Sequence, residues 1–187
     1  MGSCNDCAIG AARTVDDRRV PTIALAPASA VANPVAERRY MFKLGPNATD
    51  SAAALAPELR RLNVRRIGLL HTDDAYGREG VTTLESELRK ANIRLVGTEA
   101  VKVTDTDLSQ PVAALASVNT DALIFWTSPE QAISAAESAR GAAYGGRLFF
   151  DAAAAGDLFL DSGSGVATDD MNMLFTQTMV IDDVIAT

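Results

Sequence analysis

The sequence is poor in the residues on which most catalytic and metal sites depend. Its 187 residues include one histidine, two cysteines and 5% aromatic residues. A zinc site needs further ligands beside the two cysteines, and one distant histidine does not complete it. His71 is the only residue available as a histidine acid or base, and no second group at a recognisable spacing activates a nucleophile. We therefore predict no catalytic residues, no metal and no cofactor.

Long apolar runs and concentrated positive charge are also missing. No apolar stretch approaches the roughly 20 residues that a transmembrane helix needs, and the start of the chain lacks the charged and apolar regions of an export signal. The net charge is −7, and the arginines occur as scattered pairs such as Arg18–Arg19 and Arg65–Arg66. Binding to a nucleic acid or to an anionic membrane needs a concentrated positive field on the protein. We therefore expect neither as a partner.

Both cysteines lie in one Cys-x-x-Cys motif, formed by Cys4 and Cys7 directly before a helical pattern that Asn5 or Asp6 would cap. The motif alone is compatible with a redox pair, with half of a metal site or with a loop of another function. A thioredoxin-like redox motif follows a strand, and only three residues precede Cys4. The sequence therefore favours a non-catalytic role for both cysteines.

The sequence does contain a regular alternation of extended and helical patterns. Strands such as IGLL, ALIFW and LFF are apolar without alternating, which is typical of parallel strands that are covered by helices on both faces. We predict strands at 20–28, 41–46, 65–73, 93–102, 121–128, 146–154 and 171–179, helices at 8–19, 49–63, 76–92, 107–119 and 129–143, and a short helix or turn at 156–163. The predicted fold class is α/β, with a mostly parallel, Rossmann-like sheet flanked by helices in three layers.

At the ends of three of the predicted strands, polar and aromatic residues directly follow the apolar run. The segment from His71 to Tyr76 follows the first, Trp126 to Ser128 follows the second, and Asp151 with Ala152 follows the third. In open parallel sheets, ligands bind at the carboxyl ends of the strands, where the loops diverge. This clustering predicts a small-molecule site at that edge of the sheet.

The order of these motifs resembles that of a known family. The chain contains, in sequence, RRIGLLHTDDAYGREG, DTDLSQPVAAL, DALIFWTSPEQAISAAESAR and GRLFFDAAA, which is similar to the type I periplasmic binding proteins. Upstream, VPTIALAPASAVANP and RYMFKLGPN resemble that family's binding loop and its crossover between two lobes. More narrowly, the chain resembles the branched-chain amino acid (Leu/Ile/Val) binding branch of ABC-transporter receptors, over essentially its whole length.

The resemblance implies two α/β lobes that close over a ligand without performing chemistry on it. The ligand-binding residues that it implies are Asn5, Cys7, Ala28, Ser29, Ala30, Tyr76, Trp126, Thr127 and Asp151. The first five would belong to the first lobe, where a helix N-terminus and a loop would hold a ligand carboxylate. Tyr76 would cover the ligand, Trp126 and Thr127 would line its side-chain pocket, and Asp151 would pair with its ammonium group.

The resemblance also divides the chain into two parts. Residues 1–45 would be a partial first lobe with the hinge crossover, and residues 46–187 would be the second lobe, ending near the second hinge crossing. The expected function is that of an extracytoplasmic solute-binding fragment of an ABC transporter, which takes an amino-acid-like or related carboxylate. The partner of the full-length protein would be the membrane permease, and the unpaired elements of residues 1–45 predict a homo-oligomer of the fragment.

Two other functions remain open at this point. The same fold serves as a ligand-sensing domain in receptors and regulators, and an α/β enzyme would have to use His71. If the resemblance holds, the two cysteines lie in an oxidising compartment and become candidates for a disulfide. One option is a disulfide to a partner outside this chain.

Overall fold

The computed structural model describes residues 4–154, so the short helix or turn expected at 156–163 and the strand expected at 171–179 lie outside the described residues. The helices and strands are α1 Asn5–Arg18, β1 Thr22–Ala24, β2 Met41–Lys43, α2 Ala48–Arg61, β3 Arg66–Thr72, α3 Ala75–Lys90, β4 Arg94–Val101, α4 Ser109–Ser117, β5 Ala122–Trp126, α5 Pro129–Gly141 and β6 Arg147–Phe150. Within this part of the chain, no helix is both long and apolar enough to cross a membrane.

Four strands form a parallel sheet in the order β4-β3-β5-β6. The chain passes from β3 through α3 to β4, and then through α4 to β5 on the other side of β3. The order of strands therefore reverses between β3 and β5. Such a reversal leaves a crevice at the carboxyl ends of the two strands, because the connecting loops diverge there. The predicted α/β class and parallel sheet are confirmed.

Helices cover both faces of this sheet. On one face, Ile67, Leu69 and Ile124 are buried with apolar residues of α2 and α3. On the other face, Leu70 and Phe125 are buried with residues of α4 and α5. Burial on both faces explains why these strands are continuously apolar rather than alternating.

The segment before α2 forms a separate small layer. Strands β1 and β2 pair in parallel, with Thr22 opposite Met41 and Ile23 opposite Phe42. Helix α1 begins at Asn5, three residues before the predicted start, because Cys4 is its N-cap: the Cys4 Sγ accepts the Cys7 N–H at 3.2 Å. The expectation that Asn5 or Asp6 caps this helix is therefore wrong.

Candidate functional site

A cleft of about 340 Å³ lies at the carboxyl ends of β3 and β5. It coincides with the reversal in strand order, which is where open parallel sheets bind their ligands. One wall comes from the segment before α2 and the other from the four-stranded sheet; the lining residues are Asn5, Leu25, Pro27, Gly45 and Pro46 on the first wall, and Thr72, Asp74, Tyr76, Val103, Thr127, Ser128, Pro129, Glu130 and Ala152 on the second.

The lining combines apolar side chains with a few polar ones. Leu25 on the first wall and Val103 on the second are each 58% exposed, although both are large and aliphatic. Among the described residues that line the cleft, none is Lys, Arg or His, and the acidic ones are Asp74 and Glu130. A ligand carboxylate in this cleft would therefore be held by N–H and hydroxyl groups, whereas a ligand ammonium group would meet carboxylates.

Asn5 connects the two walls. Its Nδ2 donates to the Oδ2 of Asp74 at 2.7 Å, and its Oδ1 accepts the N–H of Ala28 at 2.9 Å. Asn5, Ala28 and Asp74 are all buried. The Asn5 side chain thus holds α1 and the loop after β1 against the start of α3.

Asp74 is the central acceptor of this arrangement. Besides Asn5, it accepts the hydroxyl of Thr72 at 2.8 Å and the N–H of Gly77 at 2.9 Å, which makes it the N-cap of α3. The sequence contains its signal, an Asp directly after a strand and before a helix, but its contact with Asn5 spans 69 positions and carries no local pattern. Its neighbour Asp73 is exposed and pairs with Arg78 at 3.0 Å.

Two N–H groups of the predicted binding loop at Ala28, Ser29 and Ala30 donate to this chain's own side chains. The N–H of Ala28 donates to Asn5, and the N–H of Ser29 donates to Glu79 Oε2 at 2.8 Å. Ala28 is fully buried, and Ala30 is exposed. The three residues of the loop do not line the cleft, although the preceding residue, Pro27, does.

Lys43 is a positioning residue that the sequence patterns missed. Its ammonium group donates to the carbonyls of Pro27 at 3.2 Å, Gly45 at 2.7 Å and Pro46 at 2.9 Å. Because these three residues line the cleft, one side chain fixes both segments of the first wall. Burial lowers the pKa of Lys43, while the carboxylates of Glu79 and Asp50 act to raise it.

The other predicted ligand-binding residues, Tyr76, Trp126, Thr127 and Asp151, fall into two groups. Tyr76 and Thr127 line the cleft, together with Asn5 from the first wall. Trp126 is fully buried beneath α3, with its ring centroid 5.6 Å from that of Tyr76, and does not line the cleft. Asp151 is buried at the same edge, where its N–H donates to the Phe125 carbonyl at 3.3 Å and its neighbour Ala152 reaches the lining.

Cys7 and His71 lie outside the cleft lining. Cys7 is exposed and forms a disulfide with Cys4, so the described structure pairs the two cysteines with each other. His71 is buried, and its Nδ1 lies 2.9 Å from the carbonyl oxygen of Thr72. Among the described residues, no group of three or more His, Cys, Asp or Glu side chains is arranged to hold a metal.

A family profile described as periplasmic binding protein matches residues 2–180. A search among curated protein sequences gives no match. Solved structures of similar fold cover most of this chain, and the chain spans about 45% of their length.

Three of these structures illustrate the similarity. An extracellular ligand-binding receptor from Rhodopseudomonas palustris HaA2 has a TM-score of 0.81 and 20% identity, over 87% of this chain and 45% of that one. A fatty acid ABC transporter substrate-binding protein from Thermomonospora curvata has a TM-score of 0.78 and 17% identity, over 91% and 44%. A solute binding protein of an ABC transporter from R. palustris BisB5, in complex with 3,4-dihydroxy benzoic acid, has a TM-score of 0.73 and 14% identity, over 82% and 45%.

Proposed function

The chain belongs to the periplasmic binding protein family, and on that premise we propose that it binds a small solute as part of an extracytoplasmic ABC-transporter receptor. The family that the sequence resembles is thereby confirmed, and it is a solute-binding class. In this proposal the chain performs no chemistry on its ligand, and the receptor delivers the ligand to a membrane permease.

The observation that carries the proposal is the cleft between the β1–β2 layer and the four-stranded sheet. Its walls come from two separate layers that meet at the reversal in strand order. A cleft formed in this way can close or open when the layers move relative to each other, which suits reversible capture of a solute. We propose that residues 1–45 belong to the first lobe and that residues 46–187 belong to the second.

The chemistry of the lining supports an amino-acid-like ligand or a related carboxylate. Leu25 and Val103 offer apolar contacts for a side chain, and Glu130 supplies a carboxylate for an ammonium group. Ser128 accepts the N–H of Gln131 at 3.3 Å as the N-cap of α5, and its hydroxyl can still donate a proton to a ligand carboxylate. Asp151, buried at the same edge, remains the proposed partner of the ammonium group.

Two neighbours of the same fold are named for other ligands, a fatty acid and 3,4-dihydroxy benzoic acid. A thermal-shift screen should therefore include amino acids, their amides, aromatic acids and fatty acids. A compound that binds should raise the midpoint of unfolding in proportion to the logarithm of its concentration. A screen without any stabilising compound in these four classes would count against the proposal.

Two matched variants test whether binding occurs in this cleft. Leu25 and Val35 are both aliphatic, lie in the segment before α2 and are well exposed, at 58% and 71%, but only Leu25 lines the cleft. Leu25→Ser should weaken the binding of the best compound about tenfold in isothermal titration, because it removes an apolar contact worth about 1–2 kcal/mol. Val35→Ser should leave the affinity unchanged; equal losses in both variants would place the ligand elsewhere.

The exposed apolar side chains of β1 and β2 support the expected homo-oligomer. Ile23 and Phe42 lie opposite each other, and both are more than half exposed. A two-stranded sheet is marginal by itself, so we propose that a second copy covers this surface. Light scattering should then give twice the mass of one chain, and Phe42→Ser should return it to that of one chain.

A further inference from the structure

The disulfide between Cys4 and Cys7 is exposed at the start of a long helix. Both cysteines are exposed. Cys4 is the N-cap of α1, a helix of 14 residues, and Cys7 lies in its first turn. These are the two cysteines of the chain, so neither has a competing partner within it. An attacking thiol can therefore reach the bond from solvent.

The two sulfur atoms have different surroundings. Cys4 is the N-cap of α1, and its Sγ accepts the backbone N–H of Cys7 at 3.2 Å. A negative charge on Cys4 would lie at the positive end of the helix and would keep this hydrogen bond, and both effects favour a thiolate at such a position. Asp6 opposes this in the first turn, but its carboxylate is exposed, so solvent screens its charge.

The better leaving group of the pair is therefore Cys4, because a sulfur that is stabilised as a thiolate leaves faster in thiol–disulfide exchange. We propose that Cys4–Cys7 is an exchange site at which a dithiol protein attacks Cys7 and releases Cys4. The partner's thiolate forms a bond to the Cys7 Sγ as the Cys7–Cys4 bond breaks, and Cys4 leaves as a thiolate that then takes a proton. The partner's second thiol resolves the mixed disulfide and releases Cys7, so this chain gains two electrons and two protons, and the partner becomes a disulfide.

The position of Asn5 gives this exchange a consequence for the cleft. Asn5 lies inside the loop that the disulfide closes, and its side chain joins Asp74 to Ala28 across the two walls. Reduction frees the backbone on either side of Asn5, and we expect the reduced chain to bind its solute more weakly. Only this consequence rests on the proposed function, since the exchange itself does not involve the ligand.

Trapping of the mixed disulfide tests the proposal on the unaltered, oxidised chain. The probe is a thioredoxin whose resolving cysteine has been replaced, so that the partner cannot resolve the mixed disulfide, and the released thiol is alkylated so that it cannot attack back. Mass spectrometry of the digested adduct should find the probe on Cys7 at least tenfold more often than on Cys4. Trapping mainly on Cys4, equal trapping on both, or no adduct under conditions in which the probe captures an exposed disulfide of insulin would overturn the proposal.

A second measurement tests the cause of the asymmetry. In Cys7→Ser, the remaining Cys4 thiol should react with iodoacetamide near pH 6.5 about tenfold faster than the Cys7 thiol of Cys4→Ser, because more of it is thiolate. Far-UV circular dichroism on both variants verifies that α1 is intact. Equal rates in two folded variants would remove the reason for attack at Cys7.

Discussion

Asn5 shows how much of the site depends on one side chain. The family resemblance predicts that it contacts a ligand, and it does line the cleft, but its amide already makes two hydrogen bonds within the protein. We therefore expect it to serve binding by holding both walls in position. The sequence places Asn5 near the start of a helix, but it cannot reveal partners that lie 23 and 69 positions away.

Replacement of this residue should be costly for stability. Asn5→Ala removes the hydrogen-bond partner of the buried Ala28 N–H and that of one Asp74 oxygen. Because unsatisfied buried polar groups are costly, we expect a loss of about 1–3 kcal/mol in the free energy of unfolding. Urea denaturation measures it, with the exposed neighbour Asp6→Asn as the control, for which we expect less than about 1 kcal/mol. Similar losses in the two variants would show that Asn5 is not the connection between the walls.

Tyr144 is the residue for which the structure predicts a dependence of stability on pH. Burial raises the pKa of its phenol above the ordinary value of 10.0; the hydrogen bond to Thr120 opposes this, and Asp121 adds to it. The folded state therefore holds this proton more tightly than the unfolded state. The resulting stabilisation is full below the ordinary pKa and is lost as the pH rises through the raised pKa.

Denaturation of the parent chain and of Tyr144→Phe at several pH values tests this expectation. The difference in unfolding free energy between the parent chain and Tyr144→Phe should be constant up to about pH 9. As the pH rises above about 10, the parent chain should lose stability relative to Tyr144→Phe. Tyr40→Phe, which leaves Tyr144 in place, should retain the alkaline decline of the parent chain. A difference that stays constant through pH 11 would contradict the raised pKa.

At the scale of elements, the starts of helices and strands are more predictable than the ends of strands. Ser128 and Pro129 predict the start of α5, and the structure confirms Ser128 as the N-cap. The predicted start of α1 is wrong because a cysteine is an uncommon cap, and only the geometry shows its sulfur accepting the Cys7 N–H. Strands β1 and β2 are three residues each, shorter than predicted, because their pairing with each other covers only those positions.

The packing of α3 on β5 depends on Gly80. A Cβ at this position would lie 2.5 Å from the Nε1 of Trp126, which is fully buried below it. Gly80→Ala should therefore cost about 1–3 kcal/mol of unfolding free energy, because a well-packed contact must open. This contact also explains why Trp126, predicted to line the ligand pocket, instead supports α3, whose first turn carries Tyr76 and whose N-cap is Asp74.

Gly10 provides the matched control for this prediction. It lies in α1, and an added Cβ would meet no neighbouring atom within 4 Å, so Gly10→Ala should stabilise the chain by about 0.5–1 kcal/mol through helix propensity alone. Thermal and urea denaturation of both variants measure the two effects. A neutral Gly80→Ala would show that α3 does not pack closely on Trp126.

At the scale of the whole molecule, the sequence predicts the sheet and the edge at which the cleft lies. Apolar strands followed by polar residues are sufficient for both, because parallel strands place their carboxyl ends together. The first wall is harder to predict. Lys43 holds it through three backbone carbonyls, and hydrogen bonds to carbonyls leave no pattern in the sequence.

The central claim is that a solute binds between the two walls. Titration of the ¹⁵N-labelled chain with the best compound of the screen, followed by amide chemical shifts, tests it most directly. We predict that amides of the first wall, such as Leu25 and Gly45, shift together with Thr72, Val103 and Thr127 of the second wall, with one common dissociation constant. Shifts confined to one wall, or centred on the distant groove lined by Arg60 and Lys90, would contradict the account.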